Sequence, residues 1–192
     1  MKSKISVMTY TAMMLALLIC LQWAGSQIPE PTTKQLITGS LVNCVLAVCV
    51  LTAGLSGGIL LAVISPVMAF LLSIAPNFVT VGPIMVANTV FVLLHYFIAG
   101  SAMKYNWRQV AAVLVAAVAK FAILYFLVVR VICDFAAPQL LGQKIGETVV
   151  LAPPMLKMLP TMFTWPQLIT ALIGGSLAMG LLPVLQKAIR NK

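Results

Sequence analysis

Leu60-Leu61-Ala62-Val63-Ile64-Ser65-Pro66-Val67-Met68-Ala69-Phe70-Leu71-Leu72 carries no charge and no alternation of polar with apolar residues. A strand of a membrane barrel would alternate at every second position over about ten residues. Val110–Ala119 is just as continuous, and rich in small residues. In lipid every backbone polar group must be satisfied within its own segment or in a closed barrel, so these runs read as helices.

Outward from those two runs, the rest of the chain divides on the same ruler, about 20 helical residues for roughly 30 Å of hydrocarbon. Spans are predicted near 5–23, 36–54, 57–75, 82–100, 109–133 and 163–186. Composition agrees: 62% of residues are hydrophobic and 8% charged, and the mean hydropathy is +1.10. That leaves too little polar surface for a soluble monomer of 192 residues. The expected fold is an all-α integral membrane protein, six transmembrane helices in one bundle forming a single domain over 1–192. No stretch is left over for an ATPase or peptidase domain.

The net charge of +9 does not make a nucleic-acid surface, because the bases are scattered between the two ends and the connections. They read instead as topology signals. With the N-terminus inside, Lys2, Lys4, Lys104, Arg108, Lys187, Arg190 and Lys192 fall on one side, against Lys34, Lys144 and Lys157 on the other. Both termini are therefore predicted cytoplasmic. Ile5 to Trp23 is too long for a secretory h-region of about 7–15 residues and is predicted to stay as the first helix.

Gly54, Gly57 and Gly58 permit a tight reversal between the second and third spans, placed at Leu55-Ser56-Gly57 or its neighbours. Pro76 and Pro83 bracket a short external loop carrying Asn77. Between Asp134 and Met162, four prolines break a moderately apolar segment that is too apolar for a tether and too interrupted to cross. An external cap between helices five and six is expected there. Pro66 and Pro183 are expected to kink or end their helices.

Lys120 is the strongest individual signal. It sits in the middle of Val113–Val129, where a central charge costs at least about 2.5–3.5 kcal/mol. Such a residue faces a partner or a cavity: its Nζ meets a substrate carboxylate or phosphate or a helix carbonyl, or the lysine is neutral with a lowered pKa, or it makes a structural hydrogen bond between helices. Asn88, about 9 Å below the external face by helical rise, reads equally as ligand contact or as a tie between helices; Asn43 reads as a tie. His95, at roughly the depth of Lys120, is a secondary candidate. Arg130 is read as an interfacial anchor or a gate, and Trp165 as a belt residue or a stacking platform.

Cys20, Cys44, Cys49 and Cys133 form no C-x-x-C pair and no ligand spacing with His95, so no metal site and no redox chemistry is read from them. H-E-x-x-H, a buried acidic pair and a convincing Ser/Lys dyad are all missing, so no enzyme is expected. No cofactor is expected either, nor a nucleic-acid partner. Ala12-Met13-Met14-Leu15-Ala16 has the small-x-x-x-small spacing that lets another helix approach closely.

Six spans in about 190 residues, both termini inside, Ala12-x-x-x-Ala16 on the first helix and Thr38-Gly39-Ser40-Leu41-Val42-Asn43 on the second form a combined pattern. The glycine turn before Ser65-Pro66, and Gly82-Pro83 followed by Asn88, complete it. Over essentially its whole length the chain resembles the S component of an energy-coupling factor transporter. That resemblance implies a subunit that captures a vitamin or related micronutrient outside the cell and docks on a transmembrane coupling subunit driven by two ATPases. It implies Ala12 and Ala16 as the docking surface and places the site at the external ends of helices four to six with the first and third external loops. Lys120, Asn88, Asn77, Trp165 and Arg130 are the substrate-binding candidates. The cell membrane, in a bacterium the cytoplasmic membrane, is the implied location. The competing reading is an autonomous small-molecule or proton-coupled permease using Lys120 and His95, which lacks any Asp or Glu within a span.

Overall fold

The computed structural model describes residues 4–75, 77–100, 106–145 and 148–190. Lys2, Lys104, Lys192, Glu147 and Pro76, all used in the sequence reading, lie outside the described residues. The described chain is almost entirely helical: α1 (Lys4–Ser26), α2 (Pro31–Ala53), α3 (Leu55–Leu71), α4 (Val81–Leu94), α5 (Trp107–Leu124), α6 (Ala137–Leu140), α7 (Pro153–Met162) and α8 (Trp165–Arg190). A 3-10 turn, Phe78–Thr80, leads into α4, and α4 ends in a wide π turn, His95–Ala99. Strands of two residues each, β1 (Lys144–Ile145) and β2 (Thr148–Val149), pair antiparallel.

Among the described residues, five helical stretches are long and apolar enough to cross a bilayer, and the apolar α3 has 17 residues. At about 1.5 Å per residue α3 is about 26 Å long, just short of the roughly 30 Å of hydrocarbon. It ends at Leu71, not near 75, because the chain turns there. Ser73 adopts φ +56°, and the Ile74 and Ala75 N–H groups both return to the Ala69 carbonyl at 2.8 and 3.0 Å.

The second helix starts five residues before its predicted beginning. Glu30 caps it by accepting from Thr32 N–H at 2.9 Å and from Thr33 N–H, and Pro31 fits the first turn, where no N–H is needed. The reversal into α3 is a single residue, Gly54, at φ +89°, a conformation that favours glycine. Leu55, Ser56 and Gly57 are the first turn of α3 instead of the link. Both α3 and α8 continue through their internal prolines, Pro66 and Pro183.

The fifth helix overshoots its predicted end at 133. Its α portion passes into π turns over Tyr125–Ala136 and then α6, giving a continuous stretch of 34 residues, Trp107–Leu140. This extension, the β1–β2 hairpin and α7 form the cap expected between the fifth and sixth spans. Ala87, Leu124, Val128, Leu151, Leu159 and Phe163 build the apolar cluster that seats the cap on α4 and α5.

Helix α2 is the centre of the bundle: every residue from Val42 to Ala53 is buried, and it packs against α1, α3, α4 and α8. Its closest neighbour is α8, where a Cβ added at Gly174 would stand 2.4 Å from the Ser40 carbonyl oxygen. Helix α1 is peripheral. Its buried residues, Thr11, Leu18, Gln22 and Gly25, form one stripe, flanked by half-buried Tyr10, Met14, Leu15 and Leu21 that pack on the core, and its other face is exposed.

Candidate functional site

A cavity of about 290 Å³ opens at one end of the bundle, near the low end of the usual range for small-molecule sites. Around its mouth stand the start of α2 (Pro31, Lys34), the turn after α3 (Ser73, Ile74) and Met158 and Met162 of α7. The cap is tied down by Gln35 Nε2, which donates to the Met162 carbonyl at 2.5 Å, and by Gln167 Nε2, which donates to the same oxygen at 3.2 Å. Deeper in the cavity are Gln22, Thr38, Asn43, Ser65, Asn88 and Lys120.

Lys120 is the hub of the deep end. Its side chain is 4% exposed, and Nζ donates to Asn43 Oδ1 at 2.5 Å and to Asn88 Oδ1 at 2.6 Å. The Phe91 ring lies 5.4 Å from Nζ. Three helices, α2, α4 and α5, thus meet through one lysine side chain. Helical rise put Lys120 level with His95 and set Asn88 and Asn43 nearer the external face; in the structure Lys120 meets Asn88 and Asn43, the latter read as a tie between helices, instead of His95.

Gln22 organises the opposite wall. Its Nε2 donates to the Ser65 carbonyl at 3.0 Å and contacts Ser65 Oγ at 3.3 Å. Its Oε1 is buried and has no hydrogen-bond partner among the described residues, and the same holds for Thr38 Oγ1. Gln22 and Lys34 were not singled out as site residues from the sequence. In the structure Gln22 lies on the buried stripe Leu18, Gln22, Gly25, which turns it inward.

The other candidates sit elsewhere. Asn77 does not line the cavity; its Nδ2 donates to the Val150 carbonyl and to Met155 Sδ at 3.2 Å, stitching the α3–α4 connection to the cap. Arg130 pairs on an exposed surface with Asp134 at 3.1 Å and lies over the Tyr125 ring. Trp165 begins α8 and is half exposed. His95 is buried beside Phe91, whose carbonyl accepts from its Nδ1 at 3.1 Å, and it does not reach the cavity lining. Ala12 and Ala16 lie on the outward face of α1.

A polar, capped cavity in an apolar helical bundle suits solute binding, and the family comparison agrees. The model for the substrate-specific component of ECF transporters matches residues 6–186. The chain belongs to that family. This S component is thereby a substrate-binding transporter subunit of the membrane, in a family that is not one of enzymes. Comparison of the S component with curated proteins and with solved structures gave no match.

Proposed function

We propose that this S component captures a vitamin or related micronutrient in the cavity around Lys120 and delivers it by docking on a transmembrane coupling subunit driven by two ATPases. The observation that carries the reading is the cavity itself, a space of about 290 Å³ with a buried lysine at its deep end and a tethered cap at its mouth. In this reading six helices cross the membrane, α3 included, and both chain ends face the cytoplasm. The cavity mouth lies at the end of the bundle where α1 finishes and α2 begins, opposite the start of α1. That supports an outward-facing mouth in a bacterial cytoplasmic membrane.

Of the substrate-binding candidates, Lys120 and Asn88 contact the solute in this proposal, while Asn77 holds the cap that covers it. Arg130 and Trp165 do not line the cavity and have no part in this proposal. Ala12 and Ala16 form the docking surface, because small residues on an outward helix face let a partner helix approach closely.

The test is mild-detergent purification followed by mass spectrometry of released small molecules, with copurifying proteins identified from the same sample. A micronutrient together with a coupling subunit and ATPases is expected. Solute transport by the chain alone in liposomes, with no ATPase partner recovered from cells, would overturn the reading in favour of an autonomous permease.

A further inference from the structure

We infer that the cavity is built for a two-ended solute: a single carboxylate held at Lys120 and, at the other wall, an N–H or O–H group donated to Gln22 Oε1. This rests on the cavity being the solute site.

At the deep end, both partners of the Lys120 ammonium are neutral amides. No Asp or Glu lines the cavity among the described residues, and the acid nearest in sequence to its mouth, Glu30, is engaged with the backbone of α2. A buried charge without a counter-charge is costly. An ammonium has three N–H donors and no acceptor; two are directed at Asn43 and Asn88, and the third has no acceptor among the described residues. Because an ammonium only donates, both asparagines must turn their oxygens toward it, which directs their NH₂ groups away from it as further donors. One buried ammonium balances one charge, which favours a carboxylate over a phosphate dianion, and half-buried Lys34 nearer the mouth adds attraction for the same sign.

At the other wall the requirement is reversed. The Ser65 carbonyl accepts only, so Gln22 must present Nε2 to it, and the orientation of the amide is fixed. Gln22 Oε1 is then an acceptor that is buried and unpartnered among the described residues, in a side chain 2% exposed. Thr38, 3% exposed and likewise unpartnered, lines the same cavity. A solute without a donor would leave Gln22 Oε1 desolvated and unpaired. Val42, Ile84 and Phe163 supply apolar lining. The class that fits is a hydroxy- or amido-monocarboxylic acid with an apolar middle.

The experiment uses the full chain in lipid nanodiscs and a panel of hydroxy- and amido-monocarboxylic acids. Each acid is matched with its methyl ester and with the form methylated at its hydroxyl or amide nitrogen. At least one acid is expected to bind, and its ester to bind at least about tenfold more weakly, the loss expected for one hydrogen bond to a charged group. In Lys120→Gln, which keeps an amide able to hydrogen-bond Asn43 or Asn88, acid and ester should bind alike. In Gln22→Leu the discrimination between parent and methylated donor should vanish while the preference for acid over ester remains. An acid preference that survives Lys120→Gln, esters that equal their acids in the unaltered protein, or no binding by any acid of the panel would each overturn the inference. A neutral or cationic solute recovered with the ATPase partners would overturn it too, while leaving the capture-subunit reading standing; absence of those partners would strike that reading separately.

Discussion

A lysine in the middle of an apolar helix is expensive only until it finds partners, and Lys120 finds them on two other helices. The lysine was legible in the sequence because cost marks it out. Its partners were less so, since helical rise gives the depth of Asn43 and Asn88 but not which face of a bundle they share. Gln22 was harder still, as a lone amide near a helix end has the same appearance whether it faces lipid headgroups or a cavity. A second residue-scale feature lies outside the membrane spans. Hydrogen bonds from Thr33, and then from Thr32, hold the Glu30 carboxyl down at about 2, against a usual 4.5. A depressed folded-state pKa stabilises the fold fully above the unfolded value, and that contribution is lost as pH falls from about 4.5 through about 2. Glu30→Ala should therefore lower the unfolding midpoint in detergent at pH 7, and the gap from the unaltered protein should close as the pH falls through that window.

Among the elements, hydropathy located five helices long enough to cross a bilayer and the shorter α3, and the misplaced ends have local causes: a proline start at α2, the Ser73 turn after α3, and π turns that carry α5 past its expected stop. Apolar content cannot report a change of helical pitch, so the last of these was not legible. Close approach between elements is also testable. Gly174→Ala would drive a methyl group into the Ser40 carbonyl of α2 and should cost about 1–3 kcal/mol, as overpacking does. Gly180→Ala, one and a half turns on and with nothing within 4 Å of its added Cβ, should instead stabilise α8 by about 0.5–1 kcal/mol. Unfolding of the two variants in the same detergent checks the contrast. For the cap, Gln35→Ala removes one of the two side-chain donors to the Met162 carbonyl. Faster amide exchange across Pro153–Met162, with little change in α2, is the expected result in hydrogen-exchange mass spectrometry.

For the whole molecule, the division of labour follows burial. Helix α2 is enclosed, the cap and cavity occupy one end, and α1 leaves most of its surface unpartnered. Ala12→Trp combined with Ala16→Trp should abolish copurification of the coupling subunit while solute binding stays within about twofold, because the bulk lands on an outward face remote from the cavity. Undiminished copurification would remove the docking role from α1. Overall organisation was readable from the sequence because length and apolarity are summed over many residues; the site was readable only where a single residue broke the pattern.

The one-residue link at Gly54 settles a matter of orientation that charge leaves open. Between Lys34 and Lys104 the chain has no basic residue, so the asymmetry of lysine and arginine that orients membrane segments is silent for α3. A single residue cannot span a bilayer. In the proposed six-helix reading, α3 runs back from the side on which α2 ends, whichever way α2 enters, and the backbone angle of one glycine does for this helix what flanking cations do for others.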